Sequence, residues 1–274
     1  MKLRWLLSLI LGFSCCALAR AQDAPWVAPM KQVHAKFTGK RGTFAQFGDS
    51  ITVTMAYWSS LPYEHKNLDA AAQKSFDLVN SYMLKDCWDK WKGPDYGSNG
   101  SMTIRWADEN VDRWLKRLNP EVVLIMFGNN DLNQLKIEEY ESTTRSVVKR
   151  CLDNGSIVIL STIPPRSGKL DQCRQFNDVV NKISTDMKVA LVDFFSECLK
   201  RRPDDWDGTL PKFKDDNRDV YQVPTLISKD GVHPSNPKQF SGDYSETGLK
   251  SNGFVLRNYL TLNAYAQVIQ KVLK

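Results

Sequence analysis

Histidine is scarce in this 274-residue chain: His34, His65 and His233 are all it has. There is no HExxH string, no histidine cluster and no CxxC pair, so neither a catalytic nor a structural zinc site is expected and no metal requirement is inferred. The G-x-S-x-G elbow of the common α/β-hydrolases is missing as well. No Lys/Arg-rich block offers a footing for nucleic acid. No internal repeat argues for an array, so the length fits one α/β domain or two small ones. Hydrophobic residues at 42% and charged residues at 25% are ordinary globular values, enough for a sizeable core.

The one long apolar run is at the start. Lys2 and Arg4 precede it, it extends from Trp5 to about Leu18, and Ala19-Arg20-Ala21 follows as a small-x-small cleavage site. This is the anatomy of a secretory signal peptide over residues 1–21, and the run is short for a stable membrane span. An uncleaved anchor helix is the alternative. Residues 22–274 would then be the exported domain, periplasmic or extracellular. The leader holds three basic residues and no acids, so its removal lowers the formal charge from +6 to +3. Cys15 and Cys16 leave with it. Cys87, Cys151, Cys173 and Cys198 remain, and either disulfides, with three possible full pairings, or buried thiols fit an exported chain.

Along the chain, residues 22–42 are polar and read as an extended lead-in. Thr43–Phe47 alternates and ends at Gly48, as a first buried strand would. A helix is expected from about Leu68 to Lys85, with Ala70, Ala71, Phe76, Val79 and Met83 on one broad face. Residues 86–105 resist assignment, and any strand within them is short. Helices over Ala107–Leu118, Glu138–Asp153 and Asp171–Met187 alternate with strands over Val122–Phe127, Ile157–Ser161 and Val189–Asp193. That alternation predicts a parallel, doubly wound α/β sheet. Residues 201–258 break the rhythm, and a loop region this long inside a compact domain is usually functional. A closing helix is expected from about Tyr259 to Leu273, with no second domain.

Three short strings carry chemistry: Gly48-Asp49-Ser50, Gly128-Asn129-Asn130-Asp131 and Asp230-Gly231-Val232-His233. Ser50 follows the first strand and Asn130 the central one, so both emerge at the carboxyl edge where parallel α/β sheets bind ligands. The loop carrying Asp230 and His233 can fold over that edge. A serine hydroxyl is a weak nucleophile until a base takes its proton. His233 is the candidate base, and Asp230, three residues earlier, can hold the imidazole in the useful tautomer. The Asn130 amide can donate to a developing oxyanion together with the Ser50 N–H and an N–H near Gly100. His34 and His65 read as solvated surface residues.

With those residues in place, the chain resembles the SGNH superfamily of GDSL-type esterases and lipases, whose four blocks carry Ser, Gly, Asn and His. Phe47-Gly48-Asp49-Ser50-Ile51-Thr52 matches the first block, Gly128-x-Asn130-Asp131 the third and Asp230-x-x-His233 the last. The resemblance implies a flavodoxin-like three-layer α/β/α fold, a Ser50/His233/Asp230 triad, no cofactor and hydrolysis of carboxylic esters. The second block departs from the pattern: Gly97-Ser98-Asn99-Gly100-Ser101-Met102-Thr103 offers two glycines and no clear preceding strand. Gly100 is the expected oxyanion donor, with Ser101 as the alternative. Tyr57, Trp58, Trp88, Trp91, Tyr96, Trp106 and Trp206 lie near the expected site in sequence. Trp106 and Trp114 read as core, whereas Trp58, Trp88 and Trp91 could be core or sugar-stacking platforms. A small-acyl, acetyl-type carbohydrate esterase is the reading these features favour. A lipase or lysophospholipase and a non-catalytic carbohydrate-binding protein are its competitors.

Overall fold

In the computed structural model, residues 23–274 are described, so the expected leader lies outside them. Four parallel strands, β1 (Phe44–Gly48), β2 (Val122–Met126), β3 (Ile157–Ser161) and β4 (Ala190–Val192), pair in the order β1-β2-β3-β4. Beyond β1, on its other edge, Gly48 forms a single parallel bridge with Ser98. Counting that bridge as the second strand in sequence, the order is that of the flavodoxin-like sheet, with one strand reduced to a single residue pair. Every residue of β1, β2 and β3 is buried, Gln46 and Ser161 included, as in strands covered on both faces.

The helices, in chain order, are α1 (Val27–His34), α2 (Ser50–Val53), α3 (Ala70–Tyr82), α4 (Asp86–Asp89), α5 (Ile104–Leu118), α6 (Ile137–Asp153), α7 (Leu170–Met187), α8 (Phe194–Arg201), α9 (Glu246–Ser251) and α10 (Gly253–Val268). A π-helical turn, Ile269–Leu273, continues α10. Helices α5, α6 and α7 pack side by side as one layer, while α10 gathers α3 and α8 on the other and its terminal turn meets α1. The result is a three-layer α/β/α sandwich.

Short helices α4, α8 and α9 appear where no helix was expected, and two further elements differ from the sequence expectation. Residues 22–42 are not simply extended: Val27 and Met30, one helical turn apart, bury one face of α1 against the C-terminal turn. His34, at the end of α1, is accordingly not a solvated residue. Its Nε2 lies 2.9 Å from the fully buried Glu121, which also accepts from the Gly42 amide at 2.6 Å and the Tyr82 hydroxyl at 3.0 Å. His65 is likewise half-buried, stacked on Phe76 with Nδ1 at 2.8 Å from the Leu61 carbonyl. The closing helix begins at Gly253, six residues before Tyr259, because the Asn252 side chain caps it by accepting from the Val255 amide at 3.1 Å. A side chain at Gly253 would collide with the Leu226 carbonyl.

The four cysteines sit on α4, α6, α7 and α8 as buried free thiols. Burial pushes the Cys87 and Cys151 thiols up to about 12 and Cys173 to about 11. Among the described residues no helix is long and apolar enough to cross a membrane.

Candidate active site

The chain reverses its order across the sheet between β1 and β2, and at such a switch point the loops after two strands splay apart and leave a crevice. Ser50 stands on one side of it. β1 ends at Gly48, where a side chain would strike both Thr52 and the Met126 carbonyl, so the next strand and the following turn can close in. Asp49 then caps α2: its Oδ1 accepts from the Ile51 amide at 3.0 Å, and its carbonyl accepts from Thr52 and Val53. Ser50 is thereby the first residue of a one-turn helix. Its amide has no hydrogen-bond acceptor within the described chain.

Asp230 and His233 are held by their own turn. Asp230 Oδ1 accepts from the amides of Val232 (2.8 Å) and His233 (2.9 Å) and from the Ser228 hydroxyl (2.7 Å). Its Oδ2 lies 2.6 Å from His233 Nδ1. Gly231, at φ +73°, makes the turn possible where any larger residue would also press on Ser167. Burial pushes the Asp230 carboxyl up, but its bonds to the His233 ring, to the two amides and to Ser228 outweigh this and hold it well below the usual carboxylate range. On the other side of the ring, His233 Nε2 is 2.9 Å from Ser50 Oγ. The three groups therefore form one continuous hydrogen-bonded line, from the end of β1 to a turn 183 residues away.

Asn130 follows β2 through Gly128, whose φ of +142° leaves no room for a side chain against Ile163. Its Nδ2 donates to the Met102 carbonyl at 3.0 Å and makes a longer contact, 3.4 Å, with Asp49 Oδ2. The second block lies alongside β1: the Gly48 amide donates to the Gly97 carbonyl (3.0 Å) and the Asn99 amide to the Gly48 carbonyl (3.1 Å). Gly100 comes next, with open space where a Cβ would be and an amide with no acceptor in the described chain. Ser101 is exposed at φ +61°. Among the described residues no group of three His, Cys, Asp or Glu side chains is placed to hold a metal.

Of the aromatic residues near the site in sequence, Trp106 joins the core as expected, and the open choice for Trp58, Trp88 and Trp91 also falls to the core. Tyr57, Trp58, Trp88 and Trp206 are buried in the core, and Trp91 and Trp106 pack half-buried against it. Tyr96 is half-buried, with the Arg117 guanidinium over its ring. Size explains this: a sheet with four short strands needs large rings to fill the space under its helices. Tyr221 reaches the site instead, exposed and edge-on to the His233 ring at 6.0 Å. With Thr54, Ala56, Asp219, Gln222, Asn236 and Phe254 it lines a cavity of about 390 Å³ that opens on Ser50 and His233. Nothing in the local pattern singles these residues out, beyond their membership of the long irregular region and of the turn after α2.

Known proteins share this fold. The profile of the GDSL-like lipase/acylhydrolase family matches residues 47–237. Among solved structures, the chain is similar to TesA (18% identity, 82% of this chain and 97% of that one, TM-score 0.50). It is similar to the psychrotrophic esterase EstA from Pseudoalteromonas sp. (16% identity, 84% of this chain and 99% of that one, TM-score 0.50). A Bacteroides fragilis protein assigned as an acylhydrolase matches with 17% identity over 93% of this chain and 100% of its own (TM-score 0.51). Identities this low speak for the fold alone. A search of curated protein sequences finds no significant match. The profile match spans more than half of the chain and contains Ser50, Asn130 and the Asp230–His233 turn, and on that ground the chain belongs to the GDSL-like lipase/acylhydrolase family of ester-hydrolysing enzymes.

Proposed function

We propose that the protein is an exported serine esterase that removes short acyl groups, acetyl foremost, from hydroxyls of a carbohydrate. The observation that carries the substrate reading is the lining of the cavity over Ser50 and His233. Thr54, Asp219, Tyr221, Gln222 and Asn236 are the polar residues of that lining, beside the apolar Ala56 and Phe254. The short apolar stretch of Ala56 and Phe254 suits a small acyl group, whereas a hydroxylated ring can meet the polar residues and the exposed Tyr221. The Asp219 carboxylate disfavours an anionic headgroup.

In this reading His233 Nε2 takes the Ser50 proton as Oγ forms a bond to the carbonyl carbon, and Asp230 stabilises the imidazolium. The oxyanion accepts from the amides of Ser50 and Gly100 and from Asn130 Nδ2, for which the long contact to Asp49 is a weak competitor. Collapse expels the alcohol, which takes the proton from His233. Water, deprotonated by the same ring, then releases the acid and restores Ser50. Export rests on the leader-like residues 1–21.

The test is hydrolysis of p-nitrophenyl esters from acetate to laurate, and acetate release from acetylated xylan, by residues 22–274 with Ser50→Ala alongside. Turnover that is greatest on acetate and absent in the variant is expected. Rates that rise with chain length would favour a lipase. Saturable glycan binding without turnover would make the protein a binding module, and an active Ser50→Ala variant would remove Ser50 from the mechanism.

A further inference from the structure

Beneath the turn that carries Ser50 lie two basic side chains with no part in the triad. Arg257, on α10, is fully buried. Its Nη1 donates to the Ile51 carbonyl at 2.5 Å and its Nη2 to Thr52 Oγ1 at 3.0 Å. Its guanidinium lies 3.5 Å from the centre of the Tyr57 ring, whose hydroxyl meets Thr261 Oγ1, also on α10, at 3.1 Å. Lys92 Nζ approaches from the segment after α4 and donates to the Thr52 carbonyl (2.7 Å), the Tyr57 carbonyl (3.1 Å) and Gln46 Oε1 (3.1 Å).

The location is unusual for two basic side chains. Burying a guanidinium is costly unless a carboxylate pairs with it, yet the hydrogen-bond acceptors of Arg257 among the described residues are the Ile51 carbonyl and the Thr52 hydroxyl, and its Nε has none. What it meets instead is the end of α2. A four-residue helix cannot sustain itself, because one turn does not repay the cost of nucleation. Its last carbonyls also lack amides to accept from, since Thr54 leaves in an extended conformation. A cation at a helix C-terminus favours the helix dipole, and here one arm of the arginine fork takes the Ile51 carbonyl and the other the Thr52 hydroxyl.

We propose that Arg257 is a positioning residue for the nucleophile: through Ile51 and Thr52 it locks α2 so that Ser50 Oγ stays within hydrogen-bond reach of His233 Nε2. Lys92 completes the clamp at the Thr52 carbonyl, and Asp49 holds the opposite end of the turn. The inference rests on Ser50 being the nucleophile. Displacement of a reacting group by an ångström typically costs about 10²-fold in rate, so the clamp is felt in chemistry more than in binding.

The test uses two variants of residues 22–274. Arg257→Lys keeps the charge and loses the fork. Thr52→Val keeps the shape and loses one acceptor. Each is assayed for kcat and KM on p-nitrophenyl acetate and for its rate of inactivation by diethyl p-nitrophenyl phosphate. In that reaction Ser50 Oγ bonds to phosphorus, p-nitrophenolate leaves and the serine proton passes to His233, so the rate reports on the nucleophile without the acyl pocket. Melting temperatures are recorded in parallel. The expected result for Arg257→Lys is a loss of about tenfold or more in both kcat and inactivation rate, with KM within about twofold. Thr52→Val is expected to lose about threefold in both. Parental inactivation rates in folded variants, whatever their melting temperatures, would reduce Arg257 to a structural role, and if Arg257→Lys does not fold, Thr52→Val decides alone. Peptide mapping of the phosphorylated parent separates the two failures. A label away from Ser50 overturns the nucleophile assignment and the clamp together, and a label on Ser50 with unchanged variant rates overturns the clamp only.

Discussion

Asp131 is fully buried beside the site, and it serves a helix at the expense of its own solvation. Its Oδ1 accepts from the Ile104 amide at 2.8 Å, supplying at the start of α5 the acceptor that the Thr103 side chain does not, while its Oδ2 has no partner. Burial pushes its carboxyl up to about 7, with Asp49 adding to the rise, and burial pushes Asp49 itself up to about 6. Both carboxyls therefore hold protons more tightly folded than unfolded. Their stabilising contribution is complete below the ordinary carboxylate value near 4 and is lost as pH rises through about 6 to 7. Asp131→Asn keeps the acceptor for Ile104 and removes the ionisation. Its melting temperature relative to the parent should climb by several degrees between pH 5 and pH 8. A difference that does not move with pH would show that Asp131 carries no such burden. The motif strings made Ser50, Asn130, Asp230 and His233 legible as residues, because each sits where a short strand or turn must end. The burial of Asp49 and Asp131 was not legible, since nothing local says which face of a loop will be covered.

At the scale of elements, the pieces that could be read were those with a period. β2 and β3 are continuous apolar runs, and α5, α6 and α7 repeat their buried residues every three or four positions, so each was placed to within a few residues. The stretch 86–105 has no period, because its pairing is a single bridge between Gly48 and Ser98 flanked by glycines. That bridge depends on close approach. Gly97 adopts φ +90°, and a Cβ there would be driven into the Phe47 ring. Gly97→Ala should cost about 2–4 kcal/mol, read as a lower urea midpoint at unchanged m-value. Because the same segment carries Gly100, activity should fall with it. A variant of parental stability would mean that the segment is free to move off Phe47. α1 escaped reading for a related reason: its buried face exists only because the C-terminal turn comes back to cover it.

For the molecule as a whole, the closing helix joins what the chain order separates. α10 packs on α3, touches β4 and α8, and carries Arg257 to a turn some 200 residues earlier (206 for the Ile51 bond). No covalent staple reinforces this arrangement among the described residues, where all four cysteines are buried thiols. Unfolding of residues 22–274 should accordingly be insensitive to reducing agent. A thiol reagent should find no reactive cysteine in the native protein and four after denaturation, whereas fewer than four in denaturant without reductant would reveal a disulfide. By itself, the sequence determined the α/β class, the order of the central elements and Ser50, Asp230 and His233, which meet at the sheet edge, because hydrophobic period and turn chemistry are local properties. Only the tertiary structure decided which aromatics fill the core and which reach the cleft, where the second block lies, and that a buried arginine stands under the Ser50 turn. Those depend on which distant surfaces close on one another, and burial is a property of the closed molecule.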